Sequence, residues 1–396
     1  MGDLALDVWV DNIRVGRLVQ DNYEYVFQYE NLSRLSPERH LVSLTMPVRL
    51  KQYDTQMLMP AFQTSLPEGA LLENLRTRFG KLMDINNDMV LLKLIGNNTI
   101  GRVRFSDSDP SVKQPEASTQ TLTDLLTYPE TEALFVELLE QFGVQSGVSG
   151  VQPKVLWSEQ GQRIALNQDG YILKSAGREY PGLAVNEYFC LEAARAAGLK
   201  TPEYFLSDSG EMLVVKRFDV TPAGKNLAFE EVCALLNRPN HGKYTGSYEE
   251  VVSILQKVPC KPVNETNRDI FKSVVFSMMI QNGDAHLKNF AVVYDDPADV
   301  SLAPFYDLVC TTVYIPRDLP ALTIEGKKSW PDNETLKRFG LDTCGLRTRE
   351  VKACMDEVRS GINETTSRIE SYGSENQHYQ QLCQNLAQVF RSTATS

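Results

Sequence analysis

Residues 270–280, IFKSVVFSMMI, are apolar nearly all round a helical wheel. Such a helix cannot lie on a surface and must be enclosed by its domain. It runs straight into Asn282-Gly-Asp-Ala-His-Leu-Lys-Asn289-Phe290, a stretch dense in groups that accept protons, donate hydrogen bonds or bind cations. Polar groups at the end of an enclosed helix stand on a rigid platform. The chain must therefore fold with this helix as the buried spine of a domain, carrying the loop at its end.

The 396 residues exceed what one core holds, since single cores stop growing near ~250–300 residues. Two or three domains are expected. Hydrophobic residues at 42% and charged ones at 23% exclude a disordered chain. A net charge of -11, from 40 basic and 51 acidic residues, argues against holding bare nucleic acid or an anionic membrane by bulk charge. No apolar run approaches the ~20 residues that span a bilayer. Met1 to Val10 carries Asp3 and Asp7 and lacks the basic start of a secretory signal. The seven cysteines include no C-x-x-C pair, and only four histidines occur. Free thiols, no structural zinc and a cytoplasmic setting are expected.

Leu4, Leu6, Val8 and Val10 alternate at the strand period, Asp11-Asn12 signals a turn, and a second strand follows around 13–19. Ser65 to Glu68 has capping-box spacing before Leu71, Leu72 and Leu75. Residues 1–105 thus read as a small α+β unit. Residues 106–121 are rich in Ser, Asp and Pro and read as a linker. Strand patterns at 154–157, 163–166, 171–174 and 212–218 mark a strand-rich lobe over 122–220. A helix around 183–197 lies among them, with Phe189, Ala193 and Ala196 on one face and Gly198 as its stop. Helical patterns at 228–236, 247–257, 266–281, 346–361 and 375–391 make 221–396 a helical lobe.

Asp284 and Asn289 have four residues between them, the spacing of the base and the metal-binding Asn in a protein-kinase catalytic loop. An Asp there can accept a proton from an attacking hydroxyl, and the Asn amide oxygen can ligate a hard cation. Asn-Gly-Asp is also an ordinary turn signal, and Asp-x4-Asn arises by chance. Asp307 follows Phe290 by seventeen residues, beyond a strand-like 291–294. A hairpin from the Asn to a second Asp is the kinase layout for the other metal ligand. Upstream, Ser146-Gly-Val-Ser-Gly150-Val-Gln-Pro-Lys154 frees backbone N–H groups to approach phosphates, although a plain hairpin turn would look the same. Lys174 ends a strand and Glu187 lies thirteen residues on, in a helix, the pairing that kinases use to hold nucleotide phosphates.

With these parts in order, the sequence resembles the HipA family of bacterial toxin kinases. SGVSGVQPK, the Lys174 strand, Asn186-Glu187, VKRFD at 215–219, NGDAHLKNF and APFYD carry the resemblance, and LTMPVR at 44–49 with SLPEG at 65–69 extends it to the N-terminus. It implies an α+β, two-lobed protein-kinase-like fold of HipA type, with an added small N-terminal subdomain and a helical C-terminal lobe. It implies ATP and Mg²⁺ as cofactors. Asp284 matches the catalytic Asp, and Asn289 and Asp307 the Mg²⁺ ligands. Lys174 matches the phosphate-binding Lys, with Glu187 as its partner. Gly147, Val148, Ser149, Gly150, Val151, Gln152 and Lys154 match the phosphate loop, and Lys216 to Phe218 the hinge whose backbone meets adenine. His286 and Lys288 complete the catalytic loop, His286 as its support.

The resemblance further implies an ATP-dependent serine/threonine-protein kinase acting on a cytosolic protein, with an aminoacyl-tRNA synthetase among the substrates and growth arrest as the outcome. It implies a HipB-like DNA-binding antitoxin through which DNA is mainly contacted. The family often carries a loop serine that is autophosphorylated; Gly147 stands in its place here, which leaves Ser149 and Ser146 as the candidates. Two other readings stay open: a small-molecule phosphotransferase of the aminoglycoside-kinase type, and a non-catalytic co-repressor.

Overall fold

The computed structural model describes residues 4–21, 24–30, 35–68, 72, 75–76, 81, 83–96, 99–106, 121–127, 154–158, 170–175, 180–260 and 262–394. The first sheet is built from β1 (Leu4–Val10), β2 (Ile13–Asp21), β3 (Glu24–Tyr29), β4 (Tyr53–Thr55) and β5 (Val103–Ser106), in the order β4-β3-β2-β1-β5. Leu6, Val8 and Val10 point inward as the alternation requires. Asp11 and Asn12 join β1 to β2 with φ of 50° and 63°. Positive φ at both central residues is what a two-residue hairpin needs, and Asp and Asn tolerate it. Between β4 and β5 lie α1 (Pro60–Gln63) and α2 (Asp88–Ile95). Asn87 caps α2 by accepting from the Met89 amide at 2.8 Å.

The short α3 (Leu122–Leu126) precedes a second sheet of β6 (Lys154–Ser158), β7 (Gly170–Ser175), β8 (Tyr204–Leu206) and β9 (Met212–Lys216), ordered β6-β7-β9-β8. The expected strand at 163–166 lies outside the described residues. Side-chain alternation splits this sheet between two cores. Tyr171, Leu173, Met212 and Val214 pack with the N-terminal sheet. Leu213 and Val215 pack the other way, with Ile172 against that same core, on the helical side. Lys174, two residues past Ile172, therefore faces the helical side too. Between β7 and β8 runs α4 (Leu183–Ala196), stopped by Gly198 at φ 75°. Phe189 and Ala193 are buried as expected, but Ala196 is exposed, because α4 is enclosed over 184–194 and emerges only at its end.

The segment 228–236 is not one helix. Ala228–Glu231 is β10, and only α5 (Val232–Leu235) is helical. Pairing with a later strand overrides the local helical pattern: β10 joins β11 (Ala291–Tyr294) and β12 (Ser301–Leu302) in an antiparallel sheet. Then α6 (Tyr248–Lys257) and α7 (Val263–Met279) follow. Every residue of α7 from Ile270 to Met279 is buried, which makes it the enclosed helix the pattern demanded. After α8 (Asn333–Arg338), α9 (Thr348–Glu375) runs fourteen residues beyond its expected end, and α10 (Gln380–Ala394) packs on it. Gly361 lets α9 approach α4; a Cβ there would sit 2.3 Å from the Ala197 nitrogen. All seven cysteines are free and buried. Among the described residues, no helix is long and apolar enough to cross a membrane.

The N-terminal sheet is pinned beside the cleft by long-range hydrogen bonds. The Gly101 amide donates to Asp219 at 2.7 Å, the Leu44 amide to Glu230 at 2.8 Å, and the Asn240 amide to Gln63 at 2.8 Å.

Candidate functional site

The loop after α7 begins with a defined helix stop. The Asn282 amide bonds the Ser277 carbonyl at 2.8 Å and the Gln281 amide bonds that of Met278 at 3.2 Å. This is the Schellman pattern, which usually has glycine at the left-handed position. Here Gln281 takes it at φ 54°, at a cost of about 1–2 kcal/mol. Thr312 donates to the Gln281 side chain at 2.7 Å, and Thr311 donates to its carbonyl at 3.2 Å. These bonds offset the strain and fix where the loop starts. Gly283 comes next, where a Cβ would lie 2.0 Å from an Asp318 oxygen.

Asp284 is open to the cleft side of the loop, with its side chain 45% exposed. Its Oδ1 accepts from the Tyr244 hydroxyl at 2.6 Å. The His286 Nε2 lies 3.9 Å from the same oxygen, and Tyr244 meets the imidazole edge-on. Burial drives His286 down to about 4 despite the nearby Asp284 carboxylate. The ring is therefore neutral near pH 7, and its Nδ1 has no hydrogen-bond partner among the described residues.

Asn289 donates from its amide nitrogen to the Asp284 carbonyl at 3.1 Å and to the Asp307 carbonyl at 3.4 Å. Asn289 thus ties together the two aspartates singled out in the sequence, and its amide oxygen is the end left to face the cleft. Asp307 follows β12, as the hairpin layout requires, with φ of 53°. A non-glycine residue held there is strained, and such strain collects at functional sites. Its Oδ1 accepts from the Lys174 amine, which also donates to Glu187. Lys174 and Glu187 are 3% and 1% exposed. Burial alone would depress Lys174, but Asp307 and Glu187 push it above the usual lysine value.

Lys288 does not point freely into the cleft. Its amine donates to Glu68 Oε1 at 2.7 Å and lies 3.5 Å from Glu231. The other Glu68 oxygen accepts from Lys243 at 2.9 Å. Glu68, expected as part of a local capping box, is instead taken by two lysines 175 and 220 residues away. Against its burial, these lysines hold Glu68 at about 2. Burial pushes Glu231 up to about 7, even with Lys288 beside it.

These groups line one cleft of about 400 Å³. Its far wall is apolar: Ile172, Val215, Ile100, Phe229 and the Phe218 ring stacked on Tyr306 at 5.5 Å. An aromatic shelf beside a run of backbone suits a flat heterocycle. Phe218, expected at the hinge, lines this wall. The Lys216 side chain turns to Glu203 at 3.2 Å on the surface, and its amide donates to the Glu203 carbonyl at 2.7 Å. Gly147, Val148, Ser149, Gly150, Val151, Gln152 and Ser146 lie outside the described residues, and Lys154 opens β6, paired with Lys174 in register. Sequence reading missed Glu68, Glu231, Lys243, Tyr244 and Tyr306. Of these, Glu68 lay inside SLPEG and Tyr306 inside APFYD, but neither was singled out for the site.

Among the described residues, no cluster of three His, Cys, Asp or Glu could hold a metal ion by itself. The Asn289 amide oxygen and the Asp307 carboxylate form a pair of hard oxygen donors. That set suits Mg²⁺, which takes one or two protein ligands and completes its shell with phosphate oxygens and water.

A family model described as the HipA-like C-terminal domain matches residues 146–366, and one described as the HipA N-terminal domain matches residues 6–106. The Sinorhizobium fredii protein named "Putative kinase Y4mE" is 28% identical over 338 residues, 78% of this chain and 78% of that protein. The "Serine/threonine-protein kinase toxin HipA" of Shewanella oneidensis is 22% identical over 337 residues, 78% of this chain and 76% of that protein. A chain from the solved Shewanella oneidensis complex of HipA, HipB and operator DNA superposes with a TM-score of 0.69 at 19% identity, covering 98% of this chain and 97% of its own. The likeness establishes the α+β, kinase-like fold expected from the sequence.

Proposed function

We propose that this chain, which belongs to the HipA family, transfers the γ-phosphoryl group of ATP to a serine of a protein substrate. The observation that carries the reading is the Lys174 amine shared between Glu187 and Asp307, with Asn289 bonded to Asp307 and Asp284 open on the same loop. In this reading the adenine lies along the Phe218–Tyr306 shelf and meets the backbone of 216–218. The residues Gly147 to Lys154 cover the phosphates, and Lys174 neutralises their oxygens. Asn289 and Asp307 would hold Mg²⁺, which supplies further neutralisation of the phosphates. Asp284 accepts the serine proton as the serine oxygen bonds to phosphorus and the bond to ADP breaks. Neutral His286 supports the loop without competing for that proton.

The wider setting belongs to the same proposal. The Shewanella protein was solved with HipB and operator DNA, and we carry a HipB-like antitoxin over to this chain. At a net charge of -11, DNA contact falls mainly to that partner. A cytoplasmic toxin that arrests growth, with an aminoacyl-tRNA synthetase among its targets, completes the reading. Its units would be 1–105, a linker at 106–121, a nucleotide-binding lobe at 122–220 and a catalytic lobe at 221–396. The test is transfer of label from [γ-³²P]ATP·Mg²⁺ to proteins of a bacterial extract. Labelled protein bands with the wild type, lost with a folded Asp284→Gln, support the reading; label confined to small molecules contradicts it.

A further inference from the structure

We propose that Glu68, from the N-terminal part of the chain, is a positioning residue for the catalytic loop and sets the place of Lys288. The inference rests on the kinase reading of this cleft and deepens it. Glu68 spans two lysines at once: Oε1 accepts from Lys288 at 2.7 Å and Oε2 from Lys243 at 2.9 Å. Lys288 lies between Asp284 and Asn289 in the sequence, directly before Asn289. The Lys288 side chain is buried, at 5% exposure, and that of Lys243 is largely covered, at 14%. Buried ammonium groups need counter-charges with good geometry. Glu231, the other carboxylate near Lys288, is farther off at 3.5 Å, and one of its oxygens makes no hydrogen bond among the described residues. Glu68 is therefore the nearer of the two anchors and the one that also reaches Lys243.

The anchor is rigid at both ends. Behind Glu68, the carbonyl of Gln63 accepts from the Asn240 side chain at 2.9 Å and its side chain accepts from the Asn240 amide at 2.8 Å. This fastens the segment that carries Glu68 to the segment that carries Lys243. On the loop side, Tyr306 donates to the Lys288 carbonyl at 2.7 Å. Lys288 is thus held at its backbone by the aromatic shelf and at its amine by Glu68. The N-terminal unit supplies part of the active-site wall and fixes the loop on which phosphoryl transfer depends.

The experiment compares Glu68→Asp and Glu68→Gln in the full chain, with Mg²⁺·ATP as the probe and release of inorganic phosphate and label transfer as readouts. Glu68→Asp keeps the charge, so the buried lysines stay compensated. It withdraws the carboxylate by about 1.5 Å, too short to bridge both amines. Misplacement on this scale is expected to lower kcat roughly 10-fold to 100-fold. The KM for ATP should stay within about two-fold, since Lys174, Asn289, Asp307 and the aromatic shelf are untouched. Glu68→Gln should lower kcat at least as much. Wild-type kcat in Glu68→Asp overturns the proposal, as does a loss confined to KM. If Glu68→Gln does not fold, Glu68→Asp decides alone. An inactive wild type would count against the kinase reading itself, which separates the two failures.

Discussion

Asp307→Asn separates a metal-binding role from a structural one. Asn is nearly isosteric and tolerates the left-handed backbone at φ 53°, so the substitution adds no backbone strain. The Lys174 amine keeps Glu187, which is 1% exposed, and the Asn oxygen can still accept from it. Removing a buried ion-pair partner outright costs about 3–5 kcal/mol. Here the site is 29% exposed on the Asp307 side and one carboxylate remains, so the loss should be about 1–2 kcal/mol, small beside a typical 5–15 kcal/mol. Nucleotide binding should respond differently. A contact with a charged group contributes about 1.5–3 kcal/mol, and loss of most of it weakens Mg²⁺·ATP roughly 10-fold to 100-fold. Adenosine should bind within about two-fold of wild type, because the Phe218–Tyr306 shelf is untouched. Calorimetric titration with both ligands, beside a thermal melt, measures this. Equal weakening of adenosine and Mg²⁺·ATP would show that Asp307 acts through the fold; unchanged Mg²⁺·ATP would remove it from the metal site.

Tyr244 donates to the Asp284 oxygen that an acceptor serine would need. Tyr244→Phe should therefore raise transfer at low acceptor concentration about 2-fold to 10-fold, from a net bond of ~0.5–1.5 kcal/mol, and a tenfold fall would mean that Tyr244 orients the base instead. His286 titrates near 4 when folded against an ordinary 6.5, so the folded state binds fewer protons in that window. Its stability contribution is full above 6.5 and is lost as pH falls toward 4, by up to about 3 kcal/mol. Urea midpoints across that range should fall less steeply in His286→Gln, and parallel slopes would refute the assignment. A phosphate on Ser149 or Ser146 would add about -1.5 to -2 charges where the ATP phosphates are proposed to bind, so incubation with Mg²⁺·ATP should add phosphate and lower ATP affinity. Intact mass unchanged in wild type, or a phosphate that survives Ser146→Ala/Ser149→Ala, would count against autoinhibition.

What could be read from the sequence follows the range of the interactions. The enclosed helix was legible because its signal is local and ten of its residues are buried in a row. The strand of Lys174 was legible as a short apolar run between glycine turns, and the pleat aims Lys174 at the side where Glu187 lies. Residues 228–231 misled because their partner strand begins only at Ala291, beyond any local window. Glu-Glu-Val-Cys reads as a helix start until the pairing is known. Glu68 misled in the same way: Ser65 and Glu68 have capping spacing, yet a buried lysine 220 residues on binds the carboxylate more strongly than a local amide would. Tyr244 left no pattern at all, since it reaches Asp284 across 40 residues as a single side chain.

The most direct measurement is phosphoproteomics of cells expressing the wild type beside cells expressing Asp284→Gln at equal abundance. Loss of the base should reduce transfer roughly 100-fold or more while the fold survives, because this open carboxylate packs against little. New phosphoserines on cytosolic proteins with the wild type, absent from Asp284→Gln, are the expected result. The same phosphosites at the same occupancy in both would contradict the account.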